Sequence, residues 1–282
     1  VNARWTPTEE YREDAIAEAA AGNLHDLLDR PGTAPITGQP LPILWHWLAF
    51  TPRARQSEIS PDGHPVTGRF LPPAAGRRRM YAGGTVSVSG NVAIGAPLQR
   101  RSLVTDVTEK SGRSGDLLFV TVEHEIASEG GSISDRNDIV YRDATGSARM
   151  AESTQVDTDW TWGRSVVIDP VVLFRMSALT YNAHRIHYDR DYARGVEGYP
   201  GLVVHGPLQA LLLADLADRT YPDRQVASFT FRSTAPAFDE NPLELRGRMD
   251  EETGMLDLAV FTRGGVQSMR ASAVLATPCA LP

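Results

Sequence analysis

The sequence predicts an α+β fold built from two tandem units, each an antiparallel sheet wrapped around a helix. Three observations predict it. At 282 residues the chain is longer than one ordinary domain. A helical pattern followed by four short strand-like runs occurs twice along it. Two local matches also recur in the same order: GQPLPILWHW (38–47) lies against GYPGLVVHGP (198–207), and GAPLQRR (95–101) against ENPLELR (240–246). The repeated unit is about 130 to 150 residues, dividing the chain into residues 1–155 and 156–282.

Residues 9–29 carry Ile16, Ala20, Leu24, Leu27 and Leu28 at helical spacing, with Pro31-Gly32 as a stop, and predict one helix. An irregular region rich in Pro, Gly and Arg runs from Thr51 to Arg79. From Met80 to Tyr141 the runs TVSVSGNVAI, RRSLVTDVTEK, DLLFVTVEHEI and SISDRNDIVYR predict strands, being β-branched and separated by turn residues. After a polar stretch, Ala151 to Asp159, the order restarts. VVLFRMSALT (171–180) predicts a helix through Val172, Met176 and Leu179. HGPLQALLLADLADRT (205–220) gives the strongest helical stripe: Leu208, Leu211, Leu212, Asp215 and Leu216. QVASFTFRSTA, LELRGRMD, MLDLAVFT and VQSMRASAVLA then predict four more strands.

The halves differ where chemistry is concerned. His205-Gly206-Pro207 opens the long helix of the second half, but the aligned Trp45, His46 and Trp47 are soon followed by Pro52, which ends any helix. A single active site therefore belongs to the second half.

Composition narrows the function. With 41% apolar and 22% charged residues the chain can bury a sizeable core. A net charge of -7 disfavours nucleic acid or an anionic membrane as partner. The one cysteine, Cys279, leaves no disulfide framework or CxxC motif. The absence of an apolar run near membrane-spanning length, and of a signal-peptide core in VNARWTPTEEY, leads us to expect a cytoplasmic protein. GxSxG, P-loop and strand-GxGxxG-helix patterns are absent.

The stretch LTYNAHRIHYD (179–189) holds two of the seven histidines. A metal clasp through His184, His187 and either Asp189 or His205 lacks HExxH spacing, and an HxxH pair arises often by chance, so no metal is expected. An inert polar loop is the bland alternative. Against it stands GYPGLVVHGPL shortly downstream, where Gly206 leaves an unobstructed N–H at a helix start. Such an amide, aided by the helix dipole, can hold a carbonyl oxygen that gains negative charge.

NAHRIHYD followed by YPGLVVHGPL resembles the hydratase motif of MaoC-like (R)-specific enoyl-CoA hydratases and type 2 hydroxyacyl-thioester dehydratases. The usual form is an Asp, then x-N-P-[IL]-H, then a downstream V-x-H-G. On this chain His187 takes the catalytic histidine position and Val204-His205-Gly206 the glycine motif. Asn182 stands where the Asp is usual, and His184 and Arg185 replace Asn-Pro. The mesaconyl-C4-CoA hydratase-like subgroup, with fungal mitochondrial dehydratases, is similar in its Asn form and in a motif like RRRMYAGG (77–84).

The resemblance implies a double hotdog: a degenerate N-terminal unit that accommodates acyl chain or CoA, and a catalytic C-terminal unit. It implies a hydro-lyase acting on the 2,3 double bond of an enoyl-CoA or acyl-carrier thioester, without redox or metal cofactor, in a molecule that can pair into homodimers. His187 would exchange the proton, Asn182 would orient water, and Gly206 would hold the thioester carbonyl. His205, Arg77, Arg78, Arg79 and Tyr81 are expected near substrate or CoA phosphates. Trp45 and Trp47 read as core or acyl-pocket walls. A dicarboxylic acyl group would need a further cation, with Arg175 and Arg232 as candidates. A hotdog thioesterase and a non-catalytic acyl-thioester binder remain as alternatives.

Overall fold

The computed structural model describes residues 5–74, 76–112, 115–143, 159–239 and 241–276. Strands β1 (Glu10–Ala15), β2 (Arg77–Gly90), β3 (Pro97–Gly112), β4 (Gly115–Ser128) and β5 (Gly131–Asp143) belong to the first half. Strands β6 (Trp162–Val166), β7 (Val226–Ser233), β8 (Leu243–Met249), β9 (Leu256–Phe261) and β10 (Gln267–Leu275) belong to the second. They form one ten-stranded sheet in the order β1-β3-β4-β5-β2-β7-β10-β9-β8-β6. Read outward from the centre, both halves show the same succession, so the repeat seen in the sequence is a repeat of topology. Pro97-Leu98 and Pro242-Leu243, matched by sequence, both lie where equivalent strands begin.

The halves join where β2 runs antiparallel to β7. Across this seam Thr85 faces Thr230 and Ser87 faces Ser228, each pair of hydroxyl oxygens 3.1 Å apart. Equivalent small polar residues meeting across the seam suit a pseudo-twofold contact between two copies of one unit.

The helices are α1 (Glu18–Leu27), α2 (Pro170–Thr180), α3 (Arg190–Gly195) and α4 (Gly206–Thr220). Helix α4 lies against β7, β8, β9 and β10 and is buried from Leu208 through Ala217. Its predicted stripe includes Asp215, which is buried but paired with Arg30, Arg164 and Arg219, as a charge in a core must be.

Four expectations are corrected. The segment 9–29 is not one helix: β1 precedes α1. Glu10 to Ala15 instead pair with β3, Glu9 and Glu10 meeting Arg101 and Arg100, so sheet-edge pairing overrides local helix propensity. Among its described residues the first half has no long central helix: a 3-10 turn, Trp45–Leu48, stands where α4 begins in the second. The run TVSVSGNVAI stops being a strand at Gly90, whose φ of +74° turns the chain. Arg77 to Arg79 lie inside β2, not in the irregular region before it. Strand β6 and helix α3 had no distinct pattern in the sequence.

The boundary drawn between 155 and 156, the polar stretch up to residue 158, and Cys279 lie outside the described residues. No helix among the described residues is long and apolar enough to cross a membrane.

Candidate active site

Helix α2 starts with the Asp169 side chain accepting the Val172 N–H at 2.8 Å. It ends at Tyr181 in a left-handed conformation, and the Asn182 N–H returns to the Ser177 carbonyl at 2.8 Å. This stop throws Asn182 off the helix end. The Asn182 Oδ1 then accepts the His184 N–H at 3.0 Å. The amide oxygen is thereby engaged, and Nδ2 remains as a donor.

A 3-10 turn, Arg185–His187, follows and is stitched to the strand-like segment before α4. Val203 N–H donates to the Ile186 carbonyl at 2.9 Å, and His187 Nδ1 donates to the Val203 carbonyl at 2.7 Å. With Nδ1–H committed to a carbonyl, a neutral His187 carries its lone pair on Nε2. Burial lowers the His187 pKa to about 4, against the opposing effect of the Val203 carbonyl. His187 is thus a neutral imidazole at physiological pH, ready to accept a proton.

His205 stacks on His187 with ring centroids 3.6 Å apart and 17° from parallel. Only 1% exposed, its Nε2 lies 2.9 Å from Ser177 Oγ. His205 lines the cleft, as expected of a residue near substrate, and it also backs His187 and ties it to α2. Helix α4 begins at Gly206, with Pro207 second. The Gly206 N–H is one of the unpaired amides of the first turn. A Cβ at Gly206 would lie 3.5 Å from Ser233 Oγ and from Tyr81 Cδ1, so the glycine is not demanded by protein packing.

These residues line one cleft of about 1490 Å³. Its opposite wall comes from the first half, with His46, Trp47, Phe50, Arg79, Tyr81 and Asn137 among the lining residues. Tyr81 donates its hydroxyl hydrogen to Asn137 Oδ1 and packs edge-on against Trp47.

The three consecutive arginines part company. Arg77 pairs with Glu109 at 2.5 Å, and Arg78 pairs with Glu197 at 2.9 Å while also donating to the Glu197 and Val196 carbonyls. Arg79 lines the cleft, half-buried. Its positive charge acts on His64, His184 and Tyr81. It has no acidic partner among the described residues. Arg175 and Arg232 are exposed and outside the cleft lining, so neither supplies the further cation.

Asp189, weighed in the sequence as a possible third metal ligand, accepts instead from Arg185 and from the Tyr192 N–H. What sequence reading missed is the loop 60–64 of the first half, which docks on the motif. The Arg185 N–H donates to the Asp62 carbonyl at 2.8 Å, and the His64 ring lies 4.1 Å from that of His184. The only signal was SPDGHP, a turn-rich run holding one of the scarce histidines, far from the motif in sequence.

A double hotdog with a neutral histidine, an amide side chain and a helix-start glycine on one cleft defines the class of MaoC-like hydratases and dehydratases. Comparison with known proteins agrees. Residues 44–239 match the family model of hydroxyacyl-thioester dehydratase type 2, and the chain belongs to that family. It is 45% identical over 275 residues to mesaconyl-C(4)-CoA hydratase of Chloroflexus aurantiacus, covering 96% of both chains. It is 39% identical over 95 residues to the mitochondrial hydroxyacyl-thioester dehydratase type 2 of Schizosaccharomyces pombe, covering 33% of this chain and 31% of that one. Among solved structures, a MaoC-like dehydratase superposes with a TM-score of 0.70 at 14% identity, covering 96% of this chain and 98% of the other, which shows the shared fold. The protein is therefore a hydro-lyase that adds water to, or removes it from, the 2,3 double bond of an enoyl thioester.

Proposed function

We propose that the chain hydrates a short enoyl-CoA whose acyl group carries a carboxylate beyond the double bond, as a mesaconyl-C4-type thioester does, giving a citramalyl-type product. The observation that carries this is Arg79, a half-buried cation in the cleft without an acidic partner among the described residues. Partial burial makes an uncompensated charge unfavourable, and a substrate carboxylate supplies the compensation. The name of the 45% identical relative points to the same acyl group and to CoA as carrier.

The chemistry follows from the donors and acceptors in place. The Gly206 N–H receives the thioester carbonyl. His187 Nε2 takes one proton from water as the water oxygen bonds to Cβ, and the π pair moves onto the carbonyl oxygen, where the amide dipole stabilises it. The His187 imidazolium then gives that proton to Cα, and the carbonyl re-forms. Asn182 Nδ2 donates to the water oxygen and, in the reverse direction, to the departing hydroxyl. The thioester C–S bond stays intact throughout.

The test is a panel of crotonyl-CoA, longer enoyl-CoA thioesters and mesaconyl-C4-CoA, followed by loss of enoyl-thioester absorbance and by product mass. The expected result is the highest kcat/KM for the carboxylated substrate, with a mass gain of one water and no thiol release. Equal or better turnover of crotonyl-CoA overturns the carboxylate reading.

A further inference from the structure

A water attacking Cβ has two hydrogens to place. His187 Nε2 accepts one. In the usual motif an Asp stands at position 182 and offers a free carboxylate oxygen as second acceptor, whereas the single side-chain oxygen of Asn182 already accepts the His184 N–H and keeps one lone pair.

The loop from Ser60 to His64 places a candidate there. Asp62 is held from several sides: Ser60 Oγ and the His64 N–H both donate to Oδ1, and His64 Nδ1–H donates to Oδ2 at 3.1 Å. The same logic that fixes the His187 tautomer through Val203 thus fixes that of His64 through Asp62, leaving the His64 Nε2 with its lone pair. That Nε2 has no partner among the described residues, and His64 lines the cleft. His64, His184 and His187 form a row, with ring centroids 4.1 Å and then 5.4 Å apart.

The loop is built to sit there. The Asp62 carbonyl accepts the Arg185 N–H at 2.8 Å, and the Pro61 carbonyl accepts from Arg185 Nη1 at 3.1 Å. Gly63 has a φ of +96°, and a Cβ on it would lie 1.8 Å from the Ala183 carbonyl oxygen, so loop and motif backbones touch. Atoms of Asp62, His64 and His184 that could ligate a metal come within 4.8 Å of one another. Both Asp62 oxygens, however, are spent on Ser60 and His64, which favours an oriented imidazole over a shared cation.

We propose that His64, oriented by Asp62, is the second hydrogen-bond acceptor for the reacting water, replacing across the two halves the carboxylate that position 182 lacks. One water proton passes to His187 and on to Cα. The other stays on oxygen, held by His64 Nε2 as the O–Cβ bond forms, and becomes the hydroxyl hydrogen of the product. The active site is then shared between the halves, and the first half contributes to chemistry as well as to the acyl pocket. The inference rests on hydratase activity and holds for whichever enoyl thioester is turned over, so failure of the carboxylate reading leaves it standing.

The experiment compares wild type, His64→Ala, and the double variant His64→Ala/Asn182→Asp on the best substrate of the panel. Folding is checked by thermal melting and by binding of the saturated acyl-CoA, which needs no reacting water. His64→Ala should lower kcat about 100-fold with little change in KM. In the double variant the introduced carboxylate keeps one oxygen for the His184 N–H and offers the other to water, so at least about ten-fold of the loss should return, a non-additivity that a structural role would not produce. Should His64→Ala melt early, His64→Leu, which keeps bulk and removes the acceptor, replaces it in both variants. A folded single variant with wild-type kcat, or a folded double variant no faster than the single, overturns the proposal.

Discussion

His46 Nε2 lies 2.9 Å from a carboxylate oxygen of Asp135, and both side chains are sealed from solvent. Asp135 also accepts from Trp47 Nε1 and Asn137 Nδ2, each at 3.1 Å. This cluster sits where the first half would otherwise start its central helix, and it fastens the 3-10 turn Trp45–Leu48 to β5. Asp135→Ala strands the His46 and Trp47 donors in a dry environment and should destabilise the fold by about 3 kcal/mol. Urea unfolding measures it. A loss below about 1 kcal/mol would show that water replaces the carboxylate.

Much of this arrangement is legible in the sequence, and what is not has physical reasons. Strands β7, β8 and β10 announce themselves because burial of one face imposes a period on the apolar residues, and β9 and helix α4 because they are buried almost throughout and mostly apolar. His187 and Gly206 are legible through motif spacing. Strand β1 is hidden because its residues are mostly exposed and polar, and its strand state is set by pairing with β3, distant in sequence. His64 and Asp62 are hidden for a related reason: their role depends on a loop of the other half touching Ala183, and nothing local in SPDGHP encodes that partner. Arg79 could be flagged as a cation, but only the ion pairs of Arg77 and Arg78 reveal that it is the one turned to the cleft.

The lowered pKa of His187, about 4 because of burial, gives a pH prediction with a definite sign. The base is the neutral form, present above the pKa, so kcat/KM should stay level from pH 7 to about 5 and fall as pH drops through about 4. An acid limb centred near 6.5 would contradict the buried imidazole. His187→Ala should remove about 100-fold or more of kcat while the protein remains folded.

Stability should follow pH in the same direction. Burial depresses the folded-state pKa of His124 to about 4 and of His184 to about 2, and it also lowers those of His64 and His205. Between the ordinary value of 6.5 and the folded values the unfolded chain binds more protons, so stability is full above that window and declines as pH falls through it. Asp218, raised to about 6 by burial, works oppositely, since its folded state holds a proton that the unfolded chain releases above 3.8. The histidines outnumber it. Urea midpoints should therefore decrease from pH 7 to pH 4.5, and His124→Gln should flatten that dependence.

Arg79 makes a prediction about selectivity. Arg79→Gln removes the charge but keeps length and polarity, so it should lower kcat/KM for the carboxylated substrate by about 10- to 100-fold, the worth of a charge-assisted hydrogen bond. Turnover of crotonyl-CoA, which has no carboxylate to lose, should change little. A parallel loss on both substrates would assign Arg79 to CoA phosphates, as the sequence first suggested.

Gly206→Ala separates packing from catalysis. The added methyl would meet Ser233 Oγ and Tyr81 Cδ1 at 3.5 Å, ordinary contact distances, and Gly206 does not adopt a positive φ. Alanine is moreover the better helix former, so the melting temperature should hold or rise slightly. The cleft side is different. A methyl at the first residue of α4 stands beside the amide proposed to receive the thioester carbonyl, and it should keep the developing oxyanion from close approach to the N–H. Loss of one such donor lowers kcat by about 100- to 1000-fold. The expected signature is a stable protein with a large fall in kcat, and a variant that keeps full activity would move the carbonyl site away from Gly206.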